Sequence, residues 1–365
     1  MYYIGLMSGT SMDAIDAALV EFDNKAKLKF YREYPIDQSL RRRIRLIDDK
    51  SSIGDIATLD QELGHRFADA VNKLLKETGI PASKISAIGS HGQTILHRPT
   101  GPQKTSLQIA DPNVICAETN ITTVTDFRRM DMAHGGQGAP LASAFHQYQF
   151  QQNSKSVIIL NIGGIANITL LHADNSKVIG FDTGPGNGLL DDWVQINKNE
   201  EYDKDGEWAK TGKPHKKLLA LMLTDHYFTL PAPKSTGREY FNMDWLKVYL
   251  EKINSNITAK DVQATLLQLS TITIRDAINA SSDNIDEVLV CGGGAKNLLL
   301  METLNRLLND TSLSTTDKYG LSPDCIEAVT FAWLAKQRLE NKPANLPNVT
   351  GAKKEVLLGG VYSPY

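Results

Sequence analysis

Cysteine is scarce in this chain of 365 residues: only Cys116, Cys291 and Cys325 occur, and no two of them form a Cys-x-x-Cys pair. This spacing favours neither a zinc site nor a disulfide framework, and it is typical of a protein from a reducing compartment. No window reaches the roughly 18 apolar residues of a membrane-spanning helix. Residues 1–20 also lack the charged start and apolar core of a secretory signal. We therefore expect a cytoplasmic protein with no membrane partner.

The chain also has little excess of either charge, with 39 Lys and Arg against 42 Asp and Glu and a net charge of −3. The only basic run, residues 41–43, favours the solvated face of one helix over a nucleic-acid surface. We expect no nucleic-acid partner. With 41% hydrophobic and 22% charged residues, the composition is that of an ordinary globular protein. The length suits about two domains of about 150 residues each.

Two sets of three strands are predicted from short apolar runs. The first set covers residues 2–8, 14–23 and 27–35, and the second reads SVIILNIGG, IANITLLH and KVIGFDTG from residue 156 onward. A long amphipathic helix that ends at Gly79 and Pro81 follows the first set, and short strands and loops continue to about residue 126. The sets share no close sequence identity, so they predict repeated architecture in an α/β fold of two lobes. Residues 213–279 are mostly helical by pattern.

Glycine clusters follow four apolar strands: SGTSMD (8–13), NIGGIAN (161–167), FDTGPGN (181–187) and CGGGAKN (291–297). A single cluster is most simply a turn in which glycine supplies a positive φ. Four clusters at strand ends instead indicate a phosphate-bearing ligand, because glycine lets backbone N–H groups approach an anion closely. The hydroxyls of residues 8–11 add further donors. The P-loop, dinucleotide and protein-kinase signatures are all absent from the sequence.

Three acids accompany these turns. Asp13 and Asp16 suit the task of holding the waters of a bound Mg²⁺, although Asp16 could equally be an acid on a strand face. Asp182 stands between the apolar run VIGF and a glycine turn, where a carboxylate can take a proton from a hydroxyl or a water. Its alternative is an Asx turn or a helix cap. His91 and His97 have no third ligand nearby, so hydrogen bonding or packing is favoured over metal binding.

The paired strand–glycine–strand elements resemble the superfamily of actin, the heat-shock chaperones and the sugar kinases. Nine segments occur in order between residue 5 and about residue 336: GLMSGTSMDAIDAAL, SHGQTILHRP, DFRRMDMAHGGQGAPL, NIGGIANIT, GFDTGPGN, PKSTGREYFN, DVQATL, CGGGAKN and EAVTFAWLA. Together they resemble the anhydro-N-acetylmuramic acid kinase family. The chain departs from the family at Ala14, where glycine is usual, and at His134, where a small residue is common. Alanine fits at position 14 if its φ is negative, and His134 could alter contacts in the sugar site.

This resemblance implies a two-lobed actin-like (ribonuclease H-like) ATPase fold, with mixed sheets flanked by helices and an ATP cleft between the lobes. The first lobe would be 1–127 plus 343–365, and the second 128–342. It implies a bacterial, cytoplasmic kinase of peptidoglycan recycling, acting as a homodimer. Such an enzyme converts 1,6-anhydro-N-acetylmuramic acid, ATP and water into N-acetylmuramic acid 6-phosphate and ADP, with Mg²⁺. The alternatives are another sugar or carboxylate kinase of the superfamily, or a non-enzymatic actin-like or chaperone ATPase.

Roles for individual residues also follow from the resemblance. Asp182 would be the catalytic base. Arg128 would bind the lactyl carboxylate, unless it forms a salt bridge to Asp126 or Asp131, and Glu327 would bind the sugar or cap its helix. Trp333 and Phe331 are expected in the core. The substrate-binding residues would be Ser8, His91, Gln93, Asp126, Arg128 and Glu327. The residues for ATP and its phosphates would be Gly9, Thr10, Ser11, Met12, Asp13, Ala14, Ile15, Asp16, Asn161, Gly163, Gly164, Gly184, Gly186, Asn187, Gly292, Gly293, Gly294 and Asn297, with Asp13 and Asp16 meeting the metal through water.

Overall fold

The protein is described here by a computed structural model that covers residues 1–9, 12–48, 50–174, 177–253, 256–282, 284–309 and 311–364. The chain forms two compact units, Met1–Gln149 with Cys325–Tyr365 and Phe150–Asp324. Among the described residues, none of the helices is both long enough and apolar enough to cross a membrane.

The elements of the first 150 residues are β1 (Tyr2–Met7), β2 (Ala14–Phe22), β3 (Ala26–Pro35), α1 (Gln38–Arg45), α2 (Ile53–Thr78), β4 (Ile85–Ser90), β5 (Gln93–Arg98), β6 (Thr105–Ile109), α3 (Pro112–Thr119), β7 (Thr123–Thr125), α4 (Arg129–Ala133) and α5 (Ala142–Phe150). The second unit contains β8 (Val157–Ile162), β9 (Ile165–Leu171), β10 (Val178–Pro185), α6 (Gly188–Lys198), α7 (Glu207–Thr211), α8 (Lys216–Met222), α9 (His226–Thr229), α10 (Met243–Glu251), α11 (Ala259–Ser281), β11 (Glu287–Cys291), α12 (Leu298–Leu307) and β12 (Ser312–Thr315). The chain then adds α13 (Ile326–Leu339), α14 (Pro347–Thr350) and β13 (Gly360–Tyr362) to the first unit.

The main sheets of the two units share one strand arrangement. In the first, the order is β13-β7-β4-β1-β2-β3, and in the second it is β10-β9-β8-β11-β12. Each contains an antiparallel meander of three strands, followed by two strands parallel to the first strand of the meander. The first sheet carries β13 as an extra antiparallel edge strand. This doubled arrangement confirms the predicted α/β fold with mixed sheets flanked by helices.

Helix α2 covers the first sheet with the stripe that its sequence predicts. Leu59, Leu63, Phe67, Val71 and Leu74 are all buried, and burying one such large side chain contributes about 1.5–3 kcal/mol. The helix begins at a Ser52 cap, whose side chain accepts from the Asp55 N–H, and ends at Gly79 with a φ of 67°. A left-handed residue at this position favours glycine. The predicted end of the helix is confirmed.

Helix α13 packs its backbone directly onto the first sheet. A Cβ atom on Gly5 would overlap the Ala328 carbonyl oxygen, and one on Gly89 would overlap that of Phe331. This close approach requires glycine in β1 and β4. Phe331 and Trp333 are each only 5% exposed, as the sequence predicts for core residues.

The observed boundaries between the units differ from the expected ones, 127/128 and 342/343. Residues 128–149 stay with the first unit, since buried Asp131 accepts hydrogen bonds from Asn345 (2.8 Å) and Thr350 (2.7 Å). Residues 325–342 stay there because α13 packs on β1 and β4. Both interactions join distant parts of the sequence. Helix α3, capped by Asp111, also lies in a region where the sequence predicts only strands and loops.

Candidate active site

Three predicted substrate-binding segments follow neighbouring parallel strands of the first sheet. Ser8 follows β1, His91 follows β4, and Asp126 and Arg128 follow β7. Because β1, β4 and β7 are parallel, their carboxyl ends share one edge of the sheet, which is where α/β sheets bind ligands. A backbone hydrogen bond of 3.0 Å from the His91 N–H to the Leu6 carbonyl joins two of these ends.

Arg128 is held by the imidazole of His91. Its Nε and Nη2 lie 3.1 and 2.8 Å from His91 Nε2, and its Nη1 donates to the Gly138 carbonyl at 2.7 Å. His91 Nδ1 lies 3.1 Å from the Gly92 carbonyl, so this nitrogen carries the proton and Nε2 accepts. Burial, together with the charge of Arg128, lowers the His91 pKa well below its ordinary value, which keeps the ring neutral. Three of the five guanidinium N–H groups are thereby used.

Neither of the salt bridges considered for Arg128 is present. Asp126, at a φ of 62°, pairs instead with Arg129 at 2.7–2.8 Å. Asp131 accepts from the Gly138 N–H at 2.8 Å as well as from Asn345 and Thr350. Burial lowers the Arg128 pKa to about 10, while the charge of Glu327 acts in the opposite direction. Arg128 is therefore a half-buried cation with two N–H groups left over among the described contacts.

The other predicted substrate-binding residues are Ser8, Gln93 and Glu327. The Ser8 hydroxyl donates to Gln93 Oε1 at 2.7 Å, and both residues are buried. Gln93 is the first residue of β5. Glu327 is exposed in the first turn of α13, whose cap residue Cys325 makes no side-chain capping bond. Ser8, His91 and Gln93 thus belong to one polar edge.

The first glycine turn is only partly described, and Thr10 and Ser11 lie outside the described residues. Met12 donates from its backbone N–H to the Gly9 carbonyl at 3.1 Å. Met12 itself has a φ of 58°, whereas Ala14 begins the extended strand β2, so alanine fits at position 14 as expected. Ile15 is buried within β2. His134, the other departure from the family, ends helix α4.

The two acids of this turn already have protein partners. Asp13 forms an ion pair with Arg41, and Asp16 accepts from the Tyr31 hydroxyl at 2.7 Å. In the part of the chain that the structure describes, no group of three or more His, Cys, Asp or Glu residues could hold a metal ion. Single carboxylates still suit Mg²⁺, which prefers oxygen ligands and retains much of its water shell. The donors therefore fit an ion bound through water better than a protein cage.

Two of the predicted phosphate turns meet in the second unit. The N–H groups of Gly186 and Gly188 donate to the Gly164 carbonyl at 3.0 Å, and that of Asn187 donates to Gly163 at 2.8 Å. A Cβ atom on Gly186 would overlap the Gly163 carbonyl oxygen, so glycine is required there. Gly184, at a φ of 139°, lies near the end of β10, just before this second turn. The turns that end β8 and β10 therefore form one backbone cluster.

The fourth glycine turn, after β11, lies beside β8. A Cβ atom on Gly292 would overlap Asn161 Oδ1, and one on Gly294 would overlap Ile162. Gly293 faces open space. Asn297 accepts the Leu300 N–H at 3.1 Å and so caps α12. The structure thus brings Asn161 and the second, third and fourth clusters of the sequence to one edge of the second sheet.

Asp182 lies within β10, and its carboxylate is held on one side only. Oδ2 accepts from the Ser235 hydroxyl and the Thr236 N–H, both at 2.9 Å. Neither an Asx turn nor a helix cap is formed, since the donors lie 53 and 54 residues away in the sequence. Among the described residues, none donates to Oδ1. Burial raises the Asp182 pKa to about 6, against the opposing effect of these two hydrogen bonds. An ionised oxygen free to accept a proton is what a general base needs.

The residues that hold Asp182 were not predicted from the sequence. PKSTGREYFN is one of the family-like segments, but nothing in its local pattern indicates a role. It contains Ser235 and Thr236. Tyr227, which donates its hydroxyl to the Asp182 carbonyl at 2.7 Å, was missed as well. These contacts are made across the fold, so only the structure reveals them.

In the first unit, Arg128 offers a cation to an anionic group. In the second unit, the glycine-rich turns suit a phosphate and Asp182 offers an oxygen that can accept a proton.

Comparisons with known proteins agree with this chemistry. The family model described as "Anhydro-N-acetylmuramic acid kinase" matches residues 1–364. A protein of that name from Coxiella burnetii is 49% identical over 99% of this chain and 97% of its own length. One from Pasteurella multocida is 47% identical over the same shares. Among solved structures, component A of (R)-2-hydroxyglutaryl-CoA dehydratase from Acidaminococcus fermentans is 11% identical to this chain. The two superimpose with a TM-score of 0.47 over 91% of this chain and 98% of that one. The match over the whole chain and the identity near one half show that this protein belongs to the anhydro-N-acetylmuramic acid kinase family.

Proposed function

We propose that this protein is an ATP-dependent kinase that opens 1,6-anhydro-N-acetylmuramic acid with water and phosphorylates O6. The products are N-acetylmuramic acid 6-phosphate and ADP, and the reaction serves peptidoglycan recycling in the bacterial cytoplasm. Family membership over residues 1–364 supports the overall reaction. The observation that carries the mechanism is the carboxylate of Asp182, with one oxygen engaged and the other available.

Asp182 acts as the base in the first part of the reaction. Oδ1 takes a proton from a water molecule as the water oxygen bonds to the anomeric carbon C1. The bond between C1 and O6 breaks, and its electron pair stays on O6. The raised pKa of about 6 leaves the carboxylate ionised at neutral pH, yet basic enough to share a proton in the transition state.

The freed O6 then attacks the γ-phosphorus of ATP, and the bond to the β-phosphate oxygen breaks to release ADP. The glycine turns at Gly163, Gly164 and Gly186 support the phosphates, because glycine carries no side chain that would keep an anion away from the backbone. Such transfer depends mainly on positioning and on electrostatic stabilisation. Asp13 and Asp16 would hold the water shell of a bound Mg²⁺, which would neutralise part of the phosphate charge.

Arg128 recognises the lactyl carboxylate of the sugar. Its two remaining N–H groups match the two oxygens of a carboxylate, and a charge-assisted pair of this kind is strong and directional. Neutral His91 fixes the guanidinium without competing for the anion, since it presents an acceptor nitrogen to Arg128. Ser8, Gln93 and Glu327 supply hydrogen bonds to the rest of the sugar.

The test measures ADP and sugar reducing ends together. The anhydro sugar has no reducing end, whereas the product has one. Purified protein with ATP, Mg²⁺ and the anhydro sugar should form one reducing end for each ADP released. ADP without reducing ends would mean phosphoryl transfer without ring opening, or a bare ATPase such as an actin-like or chaperone protein. Faster turnover of a non-anhydro sugar or a carboxylate would instead support another kinase of the superfamily. Light scattering of the same sample tests the proposed homodimer.

A further inference from the structure

Three consecutive residues, Lys234, Ser235 and Thr236, hold Asp182 through hydrogen bonds. The Lys234 carbonyl accepts the Asp182 N–H at 3.0 Å, and Ser235 and Thr236 both donate to its Oδ2 at 2.9 Å. From another direction, the Tyr227 hydroxyl donates to the Asp182 carbonyl. The main chain and the side chain of Asp182 are therefore fixed by a segment that the proposed reaction does not otherwise use.

The two carboxylate oxygens are made unequal by these contacts. Oδ2 accepts two hydrogen bonds, which reduces its tendency to accept a further proton. Oδ1 has no donor among the described residues, so it remains the more basic oxygen. Of the two donors to Oδ2, only the Ser235 hydroxyl is a side chain and can be removed by substitution.

We propose that Ser235 is a positioning residue that, with the Thr236 N–H, presents Oδ1 of Asp182 to the attacking water as the proton-accepting oxygen. The inference rests on the proposed function, because it assumes that Asp182 is the base. Ser235 acts through Asp182 and exchanges no proton with the substrate. Without its hydroxyl, the carboxylate keeps only one donor to Oδ2 and can rotate so that either oxygen faces the water.

Other charged or titratable groups around Asp182 also influence its protonation. Glu239, in the same segment as Ser235, raises the Asp182 pKa, whereas the two hydrogen bonds to Oδ2 lower it. Tyr227 of α9 approaches the carbonyl, and burial together with the charge of Asp182 raises the pKa of this tyrosine. Lys234 directs its Nζ to the Tyr227 carbonyl at 3.1 Å. Removing the Ser235 hydroxyl takes away one of the two hydrogen bonds that lower the Asp182 pKa, so this pKa rises.

The test compares how kcat/KM for the anhydro sugar depends on pH in wild type and in Ser235→Ala. In wild type we expect kcat/KM to fall below about pH 6, where Asp182 becomes protonated; this fall is the acidic limb of the profile. In Ser235→Ala it should move upward by about one pH unit, since one hydrogen bond to the ionised form is lost. Ser235→Thr keeps a hydroxyl and should restore the wild-type limb, and Ser235→Cys, a weak donor, should fall between. The titration of ATP itself is common to all variants and cancels.

Ser281→Ala is the matched control, because its hydroxyl donates to the Ala277 carbonyl within α11, and its pH profile should equal that of wild type. An unshifted limb in Ser235→Ala overturns the proposal, as does a limb in Ser235→Thr that follows the alanine variant. If Ser235→Ala does not fold, the threonine and cysteine variants decide the same question. A wild-type protein that does not open the anhydro sugar refutes the proposed function instead, so the two failures are distinguishable.

Discussion

Replacing Asp182 with asparagine should abolish most of the activity while leaving the fold intact. The Thr236 N–H can donate only to an oxygen, so the amide oxygen of the introduced side chain must take the place of Oδ2. The Ser235 hydroxyl can donate to the same oxygen. The amide NH₂ then occupies the place of Oδ1. A donor therefore stands where the reaction needs an acceptor.

This geometry sets the expected size of the loss in kcat and of the change in the free energy of unfolding. Loss of a positioned general base lowers kcat by about 10²–10⁴-fold, which corresponds to about 2.7–5.5 kcal/mol of activation free energy. The free energy of unfolding should change by less than about 1 kcal/mol, because both hydrogen bonds are retained. In addition, burial already disfavours the charged carboxylate, as its raised pKa indicates, and the neutral amide avoids that penalty.

The assay is steady-state turnover from pH 5 to pH 8.5, with ATP binding measured by calorimetry. Wild-type kcat/KM should fall about tenfold per pH unit below pH 6, since Asp182 must be ionised to act. The residual rate of Asp182→Asn should lack this limb, and its ATP affinity should match that of wild type. A loss of less than tenfold would remove Asp182 from the role of base. A loss of ATP binding or a lower melting temperature would make the defect structural.

Three further predictions concern recognition and stability. Arg128→Lys keeps the charge but loses the two-pronged guanidinium, so kcat/KM for the anhydro sugar should fall about 10- to 100-fold. For 1,6-anhydro-N-acetylglucosamine, which lacks the lactyl carboxylate, kcat/KM should not change. An equal loss on both sugars would contradict the assignment of Arg128 to the carboxylate. Gly89→Ala forces a Cβ into the Phe331 carbonyl and should lower the unfolding free energy in urea by about 1–3 kcal/mol, whereas Gly54→Ala, whose Cβ has room, should not. His146 is 1% exposed, and burial lowers its pKa from 6.5 to about 3. Between these two pH values the unfolded chain binds a proton that the folded chain does not. The free energy of unfolding should therefore fall by up to about 5 kcal/mol as the pH drops from 6.5 to 3. Urea titrations of His146→Gln should show a shallower loss over this range, and an unchanged slope would count against it.

Local patterns predicted much of this fold because the interactions behind them are local. The strands of both meanders appear close to their predicted positions, since apolar runs bounded by glycine leave few alternatives. Helix α3 could have been predicted too. Asp111 followed by Pro112 is a start signal for a helix, but the short strands around it obscured that signal.

The parts that were not predicted depend on contacts between distant residues. The unit boundaries follow the packing of α13 on Gly5 and Gly89 and the bonds from Asp131 to Asn345 and Thr350. No spacing rule links segments so far apart.

In the candidate site, too, the features that depend on local sequence were predicted and those that depend on distant contacts were not. The glycine turns and Asp182 were visible as strand-end motifs, because the carboxyl ends of strands are where α/β sheets bind ligands. The imidazole of His91 under Arg128 was not, and neither was the pair of donors at Ser235 and Thr236. Both arise only when separate chain segments are brought together by folding.

The most direct test of the central claim is a crystal structure with an unreactive ATP analogue and 1,6-anhydro-N-acetylmuramic acid bound. The account predicts a water molecule within about 3 Å of Asp182 Oδ1, placed on the face of C1 opposite the bond to O6. It also predicts that Oδ2 remains bonded to Ser235 and Thr236. A different carboxylate beside that water, or an Asp182 that does not reach it, would contradict the assignment of Asp182 as the base that opens the sugar.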